Sequence, residues 1–233
     1  MFSTSDRLPV HIAVIMDGNG RWAARRHLPR LFGHKKGVSV LKKVCSYCLE
    51  LGIPYLTVYA FSTENWNRPG SEVEGLMGIF RDFLKKEAGE LIRKDISLRV
   101  CGDVSRFPGD ITDNIEALID RSADNSSMVL NVALNYGARD EILRAVRRMI
   151  NDGISPDEVD EEKFRQYLFN PDIPDPDMLI RTSGEVRISN FLLFQTAYTE
   201  LFFTECLWPD FDRDEFDRLL LEYSKRDRRY GKV

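Results

Sequence analysis

The amino-acid sequence predicts an α/β fold built around one mostly parallel β-sheet with helices on both faces. Short apolar runs alternate with stretches of helical periodicity along the 233 residues, a pattern typical of strand–helix–strand units. The predicted strands are apolar almost throughout, which indicates a sheet that is buried on both faces. Because no repeat, linker or low-complexity segment interrupts the pattern, we expect a single domain over residues 1–233, with flexible ends at 1–10 and 232–233.

The first half of the chain contributes two predicted strands and two long helices. The first strand is "HIAVIMD", which ends in a glycine-rich turn, and the second is "YLTVYAFS". Between them, apolar residues over 38–49 keep helical spacing. A second amphipathic helix is predicted over residues 73–92, and Ser71 is suitable as its N-cap because a side-chain oxygen can accept from the first free N–H groups.

The second half continues the alternation. The third to fifth strands are "ISLRVCGD", "MVLNVALNYG" and "DMLIRTSGE", and "ELFFTE" is a candidate sixth strand. Helices are predicted at about 110–122, along an apolar stripe over 142–150, and over 216–223.

Polar residues gather directly after four of the predicted strands. The clusters are Asp17–Arg21, Ser62–Arg68, Asn135–Arg139 and Arg181–Ser189. In open parallel sheets, ligands bind beyond the carboxyl ends of the strands. We therefore expect these four loops to form one binding site at one edge of the sheet.

Composition and charge restrict the possible partners. The chain carries 33 Lys and Arg against 37 Asp and Glu, a net charge of −4, and 43% of its residues are hydrophobic. A chain with this balance is not a general polyanion binder, so we expect no nucleic-acid partner. Any phosphate recognition must come from a local cluster of cations.

The cysteines and the apolar runs bear on the compartment. Cys45 and Cys48 form a C-x-x-C within a helical apolar pattern, so buried thiols are favoured over redox chemistry, and no second pair completes a zinc site. We find no signal peptide and no apolar run long enough to span a bilayer. We expect a cytoplasmic protein.

The turn after the first strand has the composition of an anion site. "DGNGRWA" places Asp17 before Gly18 and Gly20, whose backbone can approach a ligand closely. No acid follows before Glu50, and six cations lie between Gly20 and Gly37: Arg21, Arg25, Arg26, Arg30, Lys35 and Lys36. A carboxylate among cations fits Mg²⁺ plus phosphate, because Mg²⁺ takes few protein carboxylates and arginine forks match phosphate edges. The alternative, a tight turn with Asp17 as a helix cap, leaves the arginines unexplained.

A nucleotide site is a weaker interpretation of the same turn. Gly18, Gly20 and Ala23 satisfy a loose dinucleotide-binding fingerprint. However, the acid expected about 20 residues later is missing, and Pro29 interrupts the helix that should follow. We therefore give a nucleotide-dependent oxidoreductase little weight, and no phosphate-binding loop of the G-x-x-x-x-G-K type is present.

Five further residues have both a functional and an ordinary interpretation. His34 lies near a helix start, where anions are favoured, but it is equally suited to capping. Trp66 in "STENWNRP" is either a substrate platform or a loop residue. Arg181 and Arg187 could clamp a diphosphate or simply be solvated, and we prefer the clamp because Arg181 ends an apolar strand. Glu200 precedes an apolar run, where a surface charge or cap is the ordinary interpretation.

Several motifs in a fixed order resemble one known family. They cover about residues 11–231 and are "HIAVIMDGNGRWA", "FGHKKG", "YAFSTENWNRP", "LNYGAR", "RTSGEVRISNFLLFQTAYTELFFT", "LWPDF" and "RRYG". Together they are similar to the cis-prenyltransferase family, most closely to its bacterial undecaprenyl diphosphate synthase branch. The resemblance implies a six-stranded, mostly parallel sheet that encloses a hydrophobic tunnel, a homodimer, and Mg²⁺ as cofactor.

The resemblance also implies roles for individual residues. The implied catalytic residues are Asp17 and Asn65, and the implied magnesium ligands are Asp17 and Glu200. The implied contacts of the allylic diphosphate are Gly18, Asn19, Gly20, Arg21, Arg30 and His34, and Trp22 is a further implied substrate contact. The implied loop beside the reacting carbons contributes Ser62, Glu64, Trp66 and Arg68. The implied contacts of isopentenyl diphosphate are Arg181, Arg187 and Ser189, and Arg229 and Gly231 match a C-terminal motif that reaches a neighbouring subunit's site in some members.

The implied reaction is condensation of isopentenyl diphosphate onto an allylic diphosphate, with farnesyl diphosphate as the expected starter, to give a Z-polyprenyl diphosphate such as undecaprenyl diphosphate. Because such products are membrane lipids, loose association with a membrane surface is expected. Two alternatives remain open: a synthase of shorter Z-prenyl products, and a non-catalytic subunit of a two-subunit enzyme. The chain departs from the usual family pattern at Ser183, where glycine is common, and at Phe194, where tryptophan is common.

Overall fold

The computed structural model describes residues 7–226, and its centre is a six-stranded sheet. The strands are His11–Ile15 (β1), Tyr55–Ser62 (β2), Ile96–Cys101 (β3), Met128–Tyr136 (β4), Met178–Arg181 (β5) and Glu200–Phe203 (β6). Their order across the sheet is β3-β4-β2-β1-β5-β6, and every neighbouring pair is parallel. The predicted α/β class and sheet are confirmed, including the candidate sixth strand.

Helices connect the strands. They are Asn19–Arg25 (α1), Arg30–Leu51 (α2), Gly70–Asp82 (α3), Ala88–Arg93 (α4), Gly109–Arg121 (α5), Ala138–Asn151 (α6), Glu161–Arg165 (α7) and Arg213–Ser224 (α8). A π-helical turn at Phe83–Glu87 joins α3 directly to α4, so the helix predicted over 73–92 is continuous but locally widened. Ser71 is not its cap, because α3 already begins at Gly70 after Pro69.

The central strand β1 is buried on both faces, as its apolar sequence predicts. All five of its residues are buried, and successive side chains point to opposite faces. Ile12 and Val14 pack in the core cluster formed with α2 and α8. Ala13 and Ile15 pack on the other face, against a cluster that includes Phe191. β1 therefore holds the start of its polar loop rigidly at the middle of the sheet.

A third apolar cluster lies between α3, α5 and the carboxyl halves of β2 and β4. It contains Phe61, Leu76, Phe107, Ile111 and Leu134. The aromatic rings of Phe61 and Phe107 meet edge to face, with centroids 5.6 Å apart, a favourable arrangement. This cluster borders the cavity described below.

Helix α6 is less buried than its apolar stripe predicts. Ala145 and Met149 are buried, but Val146 and Ile150 are 40% and 68% exposed, and Leu143 is 51% exposed. The latter three lie three and four residues apart and so share one helix face. In the described part of the chain, no helix combines the length and apolar character needed to cross a bilayer. Cys45 and Cys48 are buried free thiols, as expected, and burial raises the pKa of Cys45 to about 12.

Candidate active site

The strand register brings two opposite charges together at the carboxyl edge of the sheet. Ile15, the last residue of β1, pairs with Arg181, the last residue of β5. Asp17 follows two residues later, and Arg181 Nη2 donates to Asp17 Oδ2 at 2.9 Å. The N–H of Gly18 donates to Asp17 Oδ1 at 2.7 Å, which is possible because Gly18 adopts φ +102°, a conformation that favours glycine.

These contacts fix the charge of Asp17. Burial alone would raise the pKa of its carboxyl. The hydrogen bonds from Arg181 and from the Gly18 N–H, with the positive charges of Arg181 and Arg21, outweigh burial and lower that pKa below its ordinary value. Asp17 is therefore a carboxylate at neutral pH and can act as a metal ligand or a charge-bearing acceptor.

Asp17 lies at the polar mouth of a cavity of about 650 Å³. The mouth is lined by Asp17, Asn19, His34, Ser62, Glu64, Asn65, Arg68, Arg139, Arg181, Ser189 and Asn190. The body is lined mainly by apolar side chains from α2, α3, α5, β3, β4 and the π-helical turn, among them Leu41, Ile79, Phe83, Leu118 and Leu134, together with the charged side chain of Arg99 in β3. The cavity therefore suits a ligand with a charged head and an apolar tail. A tunnel that continues from it stays a prediction.

Three buried polar atoms at this mouth have no hydrogen-bond partner within the described residues: Asn19 Oδ1, His34 Nε2 and Arg181 Nε. All three residues line the cavity. Buried polar groups are nearly always hydrogen-bonded, because leaving one unpaired costs about 1–3 kcal/mol. Their grouping at one cavity mouth indicates a site that a polar ligand completes.

His34 enters this mouth as a neutral side chain. It lies in the second turn of α2 and lines the cavity. Burial, together with the positive charges of Arg68 and Arg30, lowers its pKa to about 4, although Glu72 acts in the opposite direction. At neutral pH His34 can donate an N–H to phosphate oxygen but adds no positive charge. A bound diphosphate would favour its protonation.

Arg30 and Arg68 form a pair held by one acid. Arg68 Nη1 lies 2.9 Å and Arg30 Nη2 lies 3.5 Å from Glu72 Oε1. Gly20 allows this arrangement, since a Cβ there would lie 3.1 Å from the Arg30 guanidinium. Of the two arginines, only Arg68 lines the cavity. Arg30 lies outside this lining and is held near Arg68 by the shared Glu72.

Arg21 is held by the loop that follows β5. Its Nη2 donates to Ser183 Oγ and lies 3.3 Å from Glu185 Oε1 and 3.8 Å from Asp17 Oδ2. Ser183 adopts φ +81°, which explains why glycine suits this position. The serine keeps that strained conformation and gains a bond to Arg21.

The β5 loop anchors Arg181 on its other side. Arg181 Nη1 donates to the Arg187 backbone oxygen at 2.6 Å and to Ser189 Oγ at 2.7 Å. The Arg187 guanidinium is exposed and paired with Glu185, outside the residues that line the cavity. Arg181 and Ser189 are thus brought together in the site, and Arg187 contributes its backbone.

The loop after β2 forms a 3₁₀ turn at Thr63–Asn67. Asn65 Oδ1 accepts from the Ser62 N–H at 3.1 Å in a reciprocal capping arrangement, and both residues line the cavity. Partial burial would raise the pKa of Glu64, but the hydrogen bonds it accepts, including those from Ser62 and Asn190, lower it. Glu64 is therefore ionised beside Asn65.

The two tryptophans predicted at the site have structural contacts. Trp66 Nε1 donates to Asn135 Oδ1 at 2.8 Å, and its ring packs against Phe61 and Phe107. Trp22 Nε1 donates to Asp210 Oδ1 at 2.6 Å. Neither ring is among the residues that line the cavity, so Trp66 anchors the loop after β2.

Glu200 lies at the opposite edge of the sheet. It pairs in register with Met178, which pairs with Ile12. Asp17 is therefore five strand positions further on, about 16 Å along the strand direction. Glu200 Oε2 accepts from Arg226 Nη1 at 2.7 Å. Within one chain, the structure does not bring Glu200 to Asp17.

Three residues at the mouth were not predicted. Arg139 and Asn190 line the cavity, and Glu185 contacts Arg21. Each lies in or beside a polar cluster that follows a strand, and that position was the only feature of the sequence that pointed to them.

The chain differs from the usual family pattern at Phe194, which packs against Phe164, away from the cavity. Arg229 and Gly231 lie outside the described residues.

The side chains at the mouth fit a metal ion held by a single carboxylate. Residues 7–226 contain no cluster of three or more His, Cys, Asp and Glu side chains that could hold a metal ion. A Mg²⁺ bound by one protein carboxylate needs no such cluster, because phosphate oxygens and water complete its shell. Ionised Asp17 at the cavity mouth fits that kind of site.

Comparison with known proteins agrees with this geometry. Residues 15–231 match the family described as "Putative undecaprenyl diphosphate synthase". The chain is 50% identical to the isoprenyl transferase of Heliobacterium mobile, over 97% of this chain and 89% of the relative. It is also 50% identical to the isoprenyl transferase of Fusobacterium nucleatum, over 97% of both chains.

Two solved structures share the fold. Lavandulyl diphosphate synthase from Lavandula x intermedia, in complex with dimethylallyl diphosphate, superposes with a TM-score of 0.93 at 38% identity, covering 97% of this chain and 99% of the other. A probable undecaprenyl diphosphate synthase from Campylobacter jejuni gives 0.82 at 33% identity, covering 97% and 100%. The chain belongs to the isoprenyl transferase family of cis-prenyltransferases.

Proposed function

We propose that this chain condenses isopentenyl diphosphate with an allylic diphosphate and extends it by repeated cis additions. The observation that carries the proposal is the cavity, whose polar mouth holds three unpartnered buried polar atoms and whose body is mainly apolar. A diphosphate head and an isoprenoid tail match those two parts. Burial of each further methylene is favourable by about 0.8 kcal/mol.

The allylic diphosphate is assigned to the side of the mouth formed by the β1 loop and α2. The backbone of Gly18 and Gly20 can approach the anion closely, and Arg21, Arg30 and His34 lie on the same side. Support also comes from the structural neighbour that was solved with dimethylallyl diphosphate. Isopentenyl diphosphate is assigned to the β5 side, with Arg181 and Ser189 as its contacts.

Mg²⁺ is assigned to Asp17. When bound, the ion supplies positive charge that stabilises the departing diphosphate. The protein's own contribution is to keep Asp17 ionised, through Arg181 and the Gly18 N–H, and to hold hydrogen-bond donors at the mouth.

The reaction follows from this arrangement. The bond between the allylic carbon and its diphosphate oxygen breaks, and the electrons stay with oxygen, where arginines and N–H groups stabilise them. The isopentenyl double bond supplies the electron pair for the new C–C bond, and one proton is lost from the isopentenyl part. The rate depends on holding the two diphosphates at a fixed separation.

Two surfaces support the expected partners. The exposed face of α6 formed by Leu143, Val146 and Ile150 is assigned to a homodimer contact, because adjacent exposed apolar side chains mark interaction surfaces. Leu28 and Phe32, 38% and 55% exposed, lie among the cations that follow β1 and are assigned to contact with an anionic membrane surface.

Catalysis by the single chain is favoured over a non-catalytic subunit, because Asp17 and the Ser62–Arg68 loop are intact and border the same cavity. Product length is proposed to be long, with undecaprenyl diphosphate as the expected product from farnesyl diphosphate. A shorter Z-prenyl product is the second candidate.

The test is an assay of the purified chain with Mg²⁺, labelled isopentenyl diphosphate and C10, C15 or C20 allylic diphosphates. Chromatography of the dephosphorylated products gives starter preference and chain length together. We expect label in extended prenyl products. Absence of incorporation with every starter would overturn the proposal, and products that stop after a few additions would select the shorter-chain alternative.

A further inference from the structure

Asn190 joins three loops at the carboxyl edge of the sheet. Its Nδ2 donates to Glu64 Oε1, in the loop after β2, at 3.3 Å. Its Oδ1 accepts from the backbone N–H of Arg139, after β4, at 2.9 Å. Its backbone oxygen accepts from the N–H of Ala138 at 2.8 Å. Because Asn190 itself follows β5, one residue ties together segments that are far apart in sequence.

The strand order shows which strands are crossed by the segment that leads from the end of β5 to Asn190. Asn190 follows β5, and its partners follow β2 and β4, which are separated from β5 by β1 in the order β4-β2-β1-β5. Three steps between neighbouring strands span about 14 Å. The segment therefore crosses β1 on the sheet face that carries Ala13 and Ile15, where the neighbouring Phe191 packs, and Asn190 and Asp17 line the same cavity.

Two local features fit this crossing. Asn190 adopts φ +60°, and asparagine is among the few residues other than glycine that enter the left-handed region routinely. Opposite it, a Cβ on Gly137 would lie 2.8 Å from Asn190 Nδ2 and 2.9 Å from Thr63 Oγ1. A side chain at Gly137 would thus push the three loops apart.

We propose that Asn190 is a positioning residue for the condensation. It sets the separation between the β5 side of the mouth, with Arg181 and Ser189, and the β2 loop, with Glu64 and Asn65. The inference rests on the proposed function, in which two diphosphate substrates react across this mouth. A displacement of about 1 Å between reacting groups can cost about 10²-fold in rate.

The decisive variants separate the side-chain bonds from the backbone. N190G retains the left-handed backbone and removes both side-chain bonds. N190D keeps the acceptor for the Arg139 N–H but places a second carboxylate next to that of Glu64, so the bond between the two loops is replaced by repulsion. In N190D/E64Q the amide and the carboxylate exchange places, so the bond between the two loops is restored with its direction reversed. E64Q alone gives the reference for the double variant.

Asn170 provides the matched control. It also adopts a positive φ, +48°, and its Nδ2 donates to two acceptors, at 3.0 Å each. It is absent from the lining of the large cavity. N170G therefore removes two partly buried hydrogen bonds from a left-handed asparagine that lies outside the lining of the large cavity.

With both substrates varied, N190G is expected to lower kcat by about 10- to 100-fold and to raise KM for isopentenyl diphosphate. N170G is expected to lower the melting temperature while leaving kcat unchanged. N190D is expected to resemble N190G, and N190D/E64Q to recover at least tenfold in kcat over N190D. If E64Q alone is inactive, the double variant gives no information, and the comparison of kcat between N190G and N170G tests the positioning role of Asn190.

The outcomes separate the positioning role of Asn190 from the proposed function of the chain. If the wild-type chain turns over and N190G has the wild-type kcat and KM values, or loses no more kcat than N170G, the positioning role is wrong and the proposed function stands. Failure of N190D/E64Q to exceed N190D, with E64Q active, also overturns the role. If the wild-type chain does not condense isopentenyl diphosphate, the proposed function falls and this inference falls with it.

Discussion

Two arginines contact Asp17, Arg181 at the end of β5 and Arg21 in α1, and their surroundings hold them in different ways. Arg181 is buried beneath the loop that follows β5, with its side chain 4% exposed, whereas the side chain of Arg21 is 46% exposed. The β1 loop obtains its positive φ from Gly18, at +102°. In the β5 loop, four non-glycine residues have positive φ, namely Ser183, Ser189, Asn190 and Leu192.

One cavity mouth can thus combine a fixed and an adaptable anion site. Left-handed non-glycine residues cost about 1–3 kcal/mol each and persist where the surrounding contacts fix them. The β5 loop therefore presents Arg181 in one geometry, already bonded to Asp17 and Ser189. Arg21, which is 46% exposed and contacts the side chains of Ser183 and Glu185, can turn from Ser183 toward a ligand. We associate the fixed side with the substrate whose diphosphate stays, and the adaptable side with the diphosphate that leaves.

The largest expected effect comes from the residue that both arginines contact. D17N removes the charge of Asp17 at constant size, so turnover should fall by at least about 10³-fold, because stabilisation of the departing diphosphate is lost. Circular dichroism should show an unchanged fold. D17N with turnover near the wild-type rate would contradict the assignment of Asp17, and D210N, which alters an acid outside the cavity lining, serves as the control.

The second prediction compares the two arginines directly. R181M should raise KM for isopentenyl diphosphate by about 10²-fold, since hydrogen bonds to charged groups contribute about 1.5–3 kcal/mol. R21M should raise KM for the allylic diphosphate by about tenfold or less, because the exposed Arg21 shares its anion with other donors. Steady-state kinetics with each substrate varied gives both values.

The direction of these two effects matters more than their size. If R181M weakened only the allylic substrate, the two sites would be exchanged in our account. If both variants weakened both substrates equally, the distinction between a fixed and an adaptable side would be wrong.

A third, smaller effect tests the strain in the β5 loop. S183G relieves φ +81° but loses the bond to Arg21, whereas S183A loses the bond and keeps the strain. S183A should therefore be less stable than S183G by about 1–2 kcal/mol, measured by urea unfolding. Both should raise KM for the allylic diphosphate only a fewfold. Equal stability of the two variants would show that Ser183 is not strained.

The fold was predictable because its determinants are local. Apolar runs such as "HIAVI" specify buried strands, and polar clusters after them indicate the binding edge. The exposed residues of α6 were not predictable, since a helix stripe that faces a core and one that faces solvent or a partner have the same sequence period. The start of α3 at Gly70 depended on Pro69, whose fixed φ suits a helix entry better than a serine cap two residues later.

The site was predictable in its residue types but not in its contacts. The sequence motifs identified Asp17 and Arg181, but the 2.9 Å bond between these residues, 164 positions apart, follows from the register of β1 against β5. Trp66 was expected beside the substrate, and the structure shows that its indole N–H is bound to Asn135. Asn190 was missed because its importance lies in three partners from separate loops, which no single stretch of sequence reveals.

The last effect concerns stability in acid rather than turnover, and it comes from two histidines whose pKa values are about 4, His11 at the far end of β1 and His34 at the mouth. Burial lowers both below the ordinary value of 6.5, so as pH falls from about 6.5 to about 4 the unfolded chain takes up protons that the folded chain refuses. The free energy of unfolding therefore decreases over that window, by about 3 kcal/mol for fully buried His11. Inorganic pyrophosphate at the adaptable side should raise the pKa of His34 and leave that of His11 unchanged. Urea unfolding at pH 7.0 and 4.5 measures how far the free energy of unfolding decreases in acid. Pyrophosphate should reduce that decrease in H11Q, which retains His34, but not in H34Q. The reverse result would remove His34 from the anion site.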